Sequence, residues 1–224
     1  MSANHAAFNL IFRFVENYVS PIAGRISSQR HVMAIRDGFI SAMPFMIVGS
    51  FLLVFAYPPF SPDTTWGFAR AWLDMAKQFE GQILTPFDMT MGVMSLYICA
   101  AIAYNLGKHY VKSHQLDPFM CAMLSLMAFL LVAAPKTKGT LPVDSLGGTG
   151  IFTAILVAIY CVEMMRFLKA HNIGIRLPDQ VPPMIKNSFD LLIPVLVVVL
   201  TLYPLSLVIQ SEFGMLIPQA IMSV

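Results

Sequence analysis

The chain has 224 residues, of which 57% are hydrophobic and 12% are charged. Soluble domains average about 25% charged residues, so this composition excludes an ordinary soluble domain. A formal net charge of +2 is too small for a nucleic-acid-binding surface.

Charged residues are absent from Gly38–Pro62, Met89–Gly107, Pro118–Pro135, Ser145–Val162 and Leu191–Ser211. A helix rises about 1.5 Å per residue, so about 20 apolar residues cross a hydrocarbon core about 30 Å thick. The pattern predicts an all-α fold, a polytopic membrane bundle of five transmembrane helices. Ahead of them, Phe8, Ile11, Phe12, Val15, Val19 and Ile22 recur at helical spacing opposite Asn9, Arg13, Glu16 and Asn17. That is an amphipathic helix over 7–23, lying in the membrane interface or capping the bundle. The first 34 residues carry Arg13 and Glu16 where a leader's apolar core would be, so no cleavable signal peptide is read there.

Span one covers about 35–57 with Pro44 inside it, where proline kinks the helix. The loop 58–88 follows, with a helix expected over 64–80 along the outer surface and Trp66 and Trp72 at headgroup depth. Span two, about 89–107, carries the small residues Gly92, Ser95, Cys99 and Ala103, and span four, about 147–165, carries Gly150, Ala154 and Ala158. Small residues at every third or fourth position let backbones approach closely in lipid, so these are helix-packing candidates. Spans two and three, joined by 108–117, form an antiparallel hairpin. The loop 166–190 contains Pro178, Pro182 and Pro183, which forbid a helix interior there. A short helix from Met184 leads into span five, about 191–209, which contains Pro194 and Pro204.

The basic residues Arg13, Arg25, Arg30, Arg36, Lys108, Lys112, Arg166, Lys169, Arg176 and Lys186 fall on one side of these spans; Arg70, Lys77, Lys136 and Lys138 fall on the other. The positive-inside rule places the N-terminus in the cytoplasm and the C-terminus outside. Cys99, Cys121 and Cys161 lie inside spans at spacings that suit neither a metal site nor a disulfide framework, and read as small buried apolar residues.

No complete catalytic site is legible, and neither a metal nor another cofactor is implied. His5, His31, His109, His114 and His171 fall outside the spans and read as solvated side chains. Charges within spans mark transport pathways by default, and these spans hold almost none. Glu163 comes closest and is expected to pair with Arg166 one turn on; Asp88 is read as a helix N-cap. Asp88, Asn105 and Glu163 are the polar groups on which a pathway between protomers would draw.

Three segments resemble the membrane component (enzyme IIC, or EIIC) of the bacterial sugar phosphotransferase system, in its lactose/cellobiose/chitobiose branch. The first is His31-Val-Met-Ala-Ile-Arg-Asp-Gly-Phe-Ile-Ser-Ala-Met-Pro44-Phe, continued by Ile47-Val-Gly49-Ser. The second is Met91-Gly92-Val-Met-Ser95-Leu-Tyr97. The third is Leu177-Pro178-Asp179-Gln-Val-Pro182, followed by Ser188-Phe and Leu192-Ile-Pro194. They occur in family order from about residue 8 to 210. The resemblance implies a permease that takes up a β-linked disaccharide in the bacterial cytoplasmic membrane, coupled to phosphorylation by IIB and IIA proteins. It also implies a homodimer.

Family members are about twice as long, and this chain matches their N-terminal half, which builds the dimer interface. None of the family's catalytic positions falls on this chain. The expected organisation is 1–34, an interfacial segment; 35–210, a five-span membrane domain; and 211–224, a short external tail. A truncated or half-length form is expected, and a separately encoded C-terminal half is one arrangement that would supply the rest. The alternatives are a non-transporting membrane scaffold or regulatory subunit, or a complete small transporter with its pathway between protomers.

Overall fold

The structure, a computed structural model, describes residues 16–17, 20–135, 142–175, 182 and 189–223. Among these it forms α1 (Ser20–Ser27), α2 (Arg30–Ala56), α3 (Gly67–Thr90), α4 (Met94–His114), α5 (Pro118–Ala133), a 3-10 turn at Gly148–Gly150, α6 (Ile151–Ala170), α7 (Leu192–Phe213) and α8 (Ile217–Met222). No strand is present among the described residues. Most of the expected amphipathic stretch 7–23 and most of the loop 176–188, with Leu177, Pro178 and Asp179, lie outside them, as do Lys136 and Lys138.

Arg30–Ala56, the run Gly67–His114, Gly148–Ala170 and Leu192–Phe213 are long and apolar enough to cross a membrane. Pro118–Ala133 is apolar but has 16 residues, a rise of about 24 Å. Span one is therefore α2, spans three to five are α5, α6 and α7, and span two is α4.

Two boundaries differ from expectation for one reason. The surface helix expected over 64–80 runs to Thr90 as α3, past Pro86, with non-helical backbone only at Phe79 (φ −111°, ψ 15°). Proline need not end a helix; its ring crowds the carbonyl four residues back, and the non-helical Phe79 lies farther upstream than that. Span two accordingly starts at Met94 rather than Met89, with Val93 at its N-cap position. Asp88 lies in the last turn of α3 and caps nothing. Gly92 stands in the turn between the helices, where an added Cβ would lie 2.5 Å from the Asp88 carbonyl oxygen.

The next connection is tighter than the sequence suggests. α4 continues to His114, Gln115 reverses the chain with φ 52°, and α5 starts at Pro118. The Asp117 carboxylate accepts hydrogen bonds from Phe119 N (2.8 Å) and Met120 N (3.3 Å), and a first-turn proline gives up no helical N–H. Lys112 and His114 thus lie in the last turn of α4, where the carbonyl end of the helix favours cations.

α4 is the centre of the bundle and packs against α2, α5 and α6. Every buried residue of α2 is small: Ala34, Gly38, Ala42, Gly49 and Ala56. A Cβ on Gly38 would lie 2.9 Å from the backbone nitrogen of Ile102, so α2 and α4 touch backbone to backbone. α7 buries one narrow stripe, Pro194, Val198, Leu202 and Ser206, and leaves Leu196 and Leu200 exposed. A stripe of one residue per turn places α7 at the edge of the bundle. The segment 211–224, expected as a tail, carries α8, which packs on α5, α6, α7 and the 3-10 turn.

Candidate functional site

The polar chemistry that the helices bring together centres on Glu163. This residue lies on α6 in line with Phe152, Leu156 and Phe167, which are exposed; at 100° per residue these positions share one face. A carboxylate on so apolar a face needs partners, and three helices supply them. Tyr110 of α4 donates its hydroxyl to Oε1 at 2.6 Å. His31, in the first turn of α2, places Nε2 2.9 Å from the same oxygen. Arg166, one turn along α6, places Nε 2.7 Å from Oε2.

Two guanidinium groups flank Tyr110. The Arg166 Cζ lies 5.2 Å from its ring centroid and the Arg30 Cζ 5.6 Å, both within cation–π range. His114 meets the same ring edge-on at 5.7 Å. Tyr110 is 2% exposed, so its ring is a fixed platform. The arrangement ties the ends of α2, α4 and α6 together, leaving two guanidinium charges against one carboxylate. A second tie lies on the same side, where Lys169 Nζ donates to Asp190 at 2.5 Å just before α7.

At the opposite end, the Ser95 hydroxyl donates to the Leu146 carbonyl. Gly150 is buried there, and a Cβ on it would lie 3.0 Å from Phe129 Cζ. The helix-packing candidates Ser95, Cys99, Ala103, Ala154 and Ala158 are all fully buried. Cys99 Sγ contacts the Ser125 carbonyl at 3.5 Å. Of the motif residues, Gly49 is buried against Thr90 and Met91 and Pro194 is buried, whereas Pro44 faces outward and Pro182 is exposed.

Beyond α2 an aromatic cluster forms. Phe60 meets Trp66 at 5.9 Å and Trp72 at 5.7 Å, and Trp72 donates its indole N–H to the Phe55 carbonyl. Beside it the Tyr57 hydroxyl donates to Glu80 at 2.9 Å, and that carboxylate holds the phenol above its usual pKa range.

Among the described residues, no three His, Cys, Asp or Glu side chains are placed to hold a metal ion. A cavity of about 200 Å³ between α5, α6, α7 and α8 is lined by apolar groups together with Thr153 and Tyr160, and Tyr160 is already bonded to Thr201 at 2.5 Å. Asn105 donates to the Ala101 carbonyl of its own helix at 2.9 Å. Asp88, Asn105 and Glu163 therefore do not converge on one another through any of these contacts. The Glu163–Arg166 pair was legible from its spacing of three. His31 and Tyr110 were not, since they reach Glu163 from 132 and 53 residues away.

The family model "Phosphotransferase system, EIIC" matches residues 36–223. The chain is 34% identical over 214 residues to the cellobiose-specific EIIC component of Geobacillus stearothermophilus, which covers 88% of this chain and 45% of that protein. It is 33% identical over 220 residues to the lichenan permease IIC component of Bacillus subtilis (strain 168), covering 91% and 46%. The lactose-specific EIICB component of Streptococcus mutans is 32% identical over 207 residues, covering 90% and 35%. Among solved structures, the transporter ChbC, the IIC component from the N,N'-diacetylchitobiose-specific phosphotransferase system, superposes with a TM-score of 0.78 at 33% identity, covering 93% of this chain and 50% of that one. The chain thus spans half the length, or less, of each of these proteins.

Proposed function

The chain belongs to the phosphotransferase system EIIC family, and from that premise we propose that these 224 residues form the scaffold half of a sugar permease. Its substrate class is a β-linked disaccharide of the cellobiose, chitobiose or lactose type, phosphorylated as it is taken up. The phosphoryl group travels from phosphoenolpyruvate through a IIA and a IIB protein, which are the partners. The membrane domain, 35–210, pairs with a second copy of itself, and its N-terminal end faces the cytoplasm.

The observation that carries this reading is the match to the chitobiose component over 93% of this chain at 33% identity. The names of the relatives support the sugar class, and the EIICB name of the lactose relatives supports a IIB partner. The scaffold role rests on where the polar groups sit. Each sugar hydroxyl needs a hydrogen-bond partner once it leaves water. Among the described residues the ion pairs that join separate helices gather at the Glu163 end, and the Ser95 and Tyr160 hydroxyls are already bonded to Leu146 and Thr201. The bundle between α4, α5 and α6 is filled largely by apolar side chains, and the Thr153 hydroxyl is buried there without a partner.

A chimera tests the assignment. Residues 1–224 replace the matching half of the cellobiose-specific relative, expressed with that relative's IIA and IIB proteins in cells lacking their own permease. Phosphoenolpyruvate-dependent cellobiose uptake is the expected result. A chimera that inserts and is folded, yet takes up nothing, contradicts the assignment.

A further inference from the structure

We propose that the Arg30–Tyr110–Arg166 cluster binds the phosphodiester headgroup of an anionic phospholipid. The site has a surplus of positive charge, with two guanidinium groups around one tyrosine ring and one carboxylate, Glu163, nearby. Tyr110, His31 and Arg166 already meet both oxygens of the Glu163 carboxylate, and Arg30 makes its contact with Tyr110 instead. The side chain of Arg30 is exposed, and it lies against Tyr110, both its ring and its hydroxyl. The Arg166 Nε hydrogen has no acceptor in line with it, although the Glu163 oxygen is close.

The backbone adds to this field. Arg30 and His31 open α2, and Gln29 provides no side-chain cap, so the positive end of that helix faces the same place. The titratable groups turned toward the site from the packed elements are Arg30 and His31 of α2, Tyr110 and His114 of α4, and Glu163 and Arg166 of α6. Among the described residues, Glu163 is the one acid in this group.

Position selects a lipid over a soluble anion. Glu163 shares its face of α6 with Phe152, Leu156 and Phe167, and Val111 beside Tyr110 is 42% exposed. A phosphate held by the two arginines has apolar side chains beside it on which acyl chains can lie. Basic groups between membrane helices at the interface recognise anionic headgroups in this way, and arginine forks suit a phosphate's oxygens.

Native mass spectrometry of the detergent-purified chain, titrated with equal amounts of phosphatidylglycerol and phosphatidylcholine, tests the site. Phosphatidylglycerol is expected to be retained in preference. Arg30→Gln and Arg166→Gln should each lower its retention about fivefold, the loss of one interfacial cation. Arg36→Gln should leave retention unchanged, because Arg36 is engaged with Asp37 at 2.8 Å. Equal losses in all three variants would mean diffuse attraction and overturn the site. So would the absence of headgroup preference, or displacement of the lipid by millimolar inorganic phosphate, which would assign the cluster to a soluble anion. Should Arg166→Gln fail to fold, Arg30→Gln decides, since Arg30 is exposed and meets α4 only at Tyr110.

Discussion

Glu163 is the residue on which three helices depend, and its partners divide the work in a measurable way. Tyr110→Phe removes one hydroxyl donor and keeps the ring between its two guanidinium neighbours; it should cost about 1 kcal/mol. Glu163→Ala removes the acceptor of every bond in the cluster and leaves Arg166 and His31 facing each other, so its cost should be larger, about 2 kcal/mol, limited by the partial solvent access of the group. Thermal unfolding of the purified chain in one detergent should rank the two in that order. A harmless Glu163→Ala would show that the cluster ties nothing together. The sequence disclosed half of this site. Spacing along one helix announces Glu163 and Arg166, but a histidine in the first turn of one helix and a tyrosine near the end of another carry no local signal that they meet. His31 therefore read as a solvated side chain, whereas the fold makes it a carboxylate partner.

At the scale of the element, small residues set the distances between helices, but not all for the same reason. Gly38 faces the Ile102 backbone across the α2–α4 contact, and Gly150 faces Ser145, Ser95 and Phe129. A Cβ on Gly92 would first meet Asp88 in its own preceding turn. Gly38→Leu should force α2 away from α4 and cost about 3 kcal/mol or prevent folding. Gly150→Ala should cost about 1–3 kcal/mol through displacement of the loop that Ser95 holds. Gly24→Ala, where an added Cβ meets nothing within 4 Å, should be neutral or slightly stabilising. Equal melting temperatures for Gly38→Leu and Gly24→Ala would contradict the close α2–α4 approach. Apolar runs located the long helices well, because lipid leaves a span little choice but helix. Their ends were less legible. The helix expected over 64–80 runs on through Pro86 to Thr90, and the lysines expected in the loop after span two ride on the last turns of α4.

For the whole molecule, orientation and role remain to be measured together. Ten basic residues on one side against four on the other are the basis for the proposal that the Glu163 end faces the cytoplasm. The native cysteines Cys99, Cys121 and Cys161 are fully buried, so a cysteine introduced at a surface position labels over a silent background. In intact cells, Ser113→Cys should resist an impermeant thiol reagent and Asp144→Cys should react; the reverse pattern would invert the molecule. Fold class and family were readable from charge-free runs and motif order. No sugar-recognising group was legible in the same way, because the spans hold almost no charged residue. The most direct measurement of the scaffold role is phosphorylation of cellobiose by membranes containing only these 224 residues, supplied with phosphoenolpyruvate and the IIA and IIB proteins, beside the active chimera. The account predicts no product above the empty-vector membranes and robust product with the chimera. Cellobiose phosphate formed by the 224 residues alone would contradict it and place a complete sugar pathway within this bundle or between its copies.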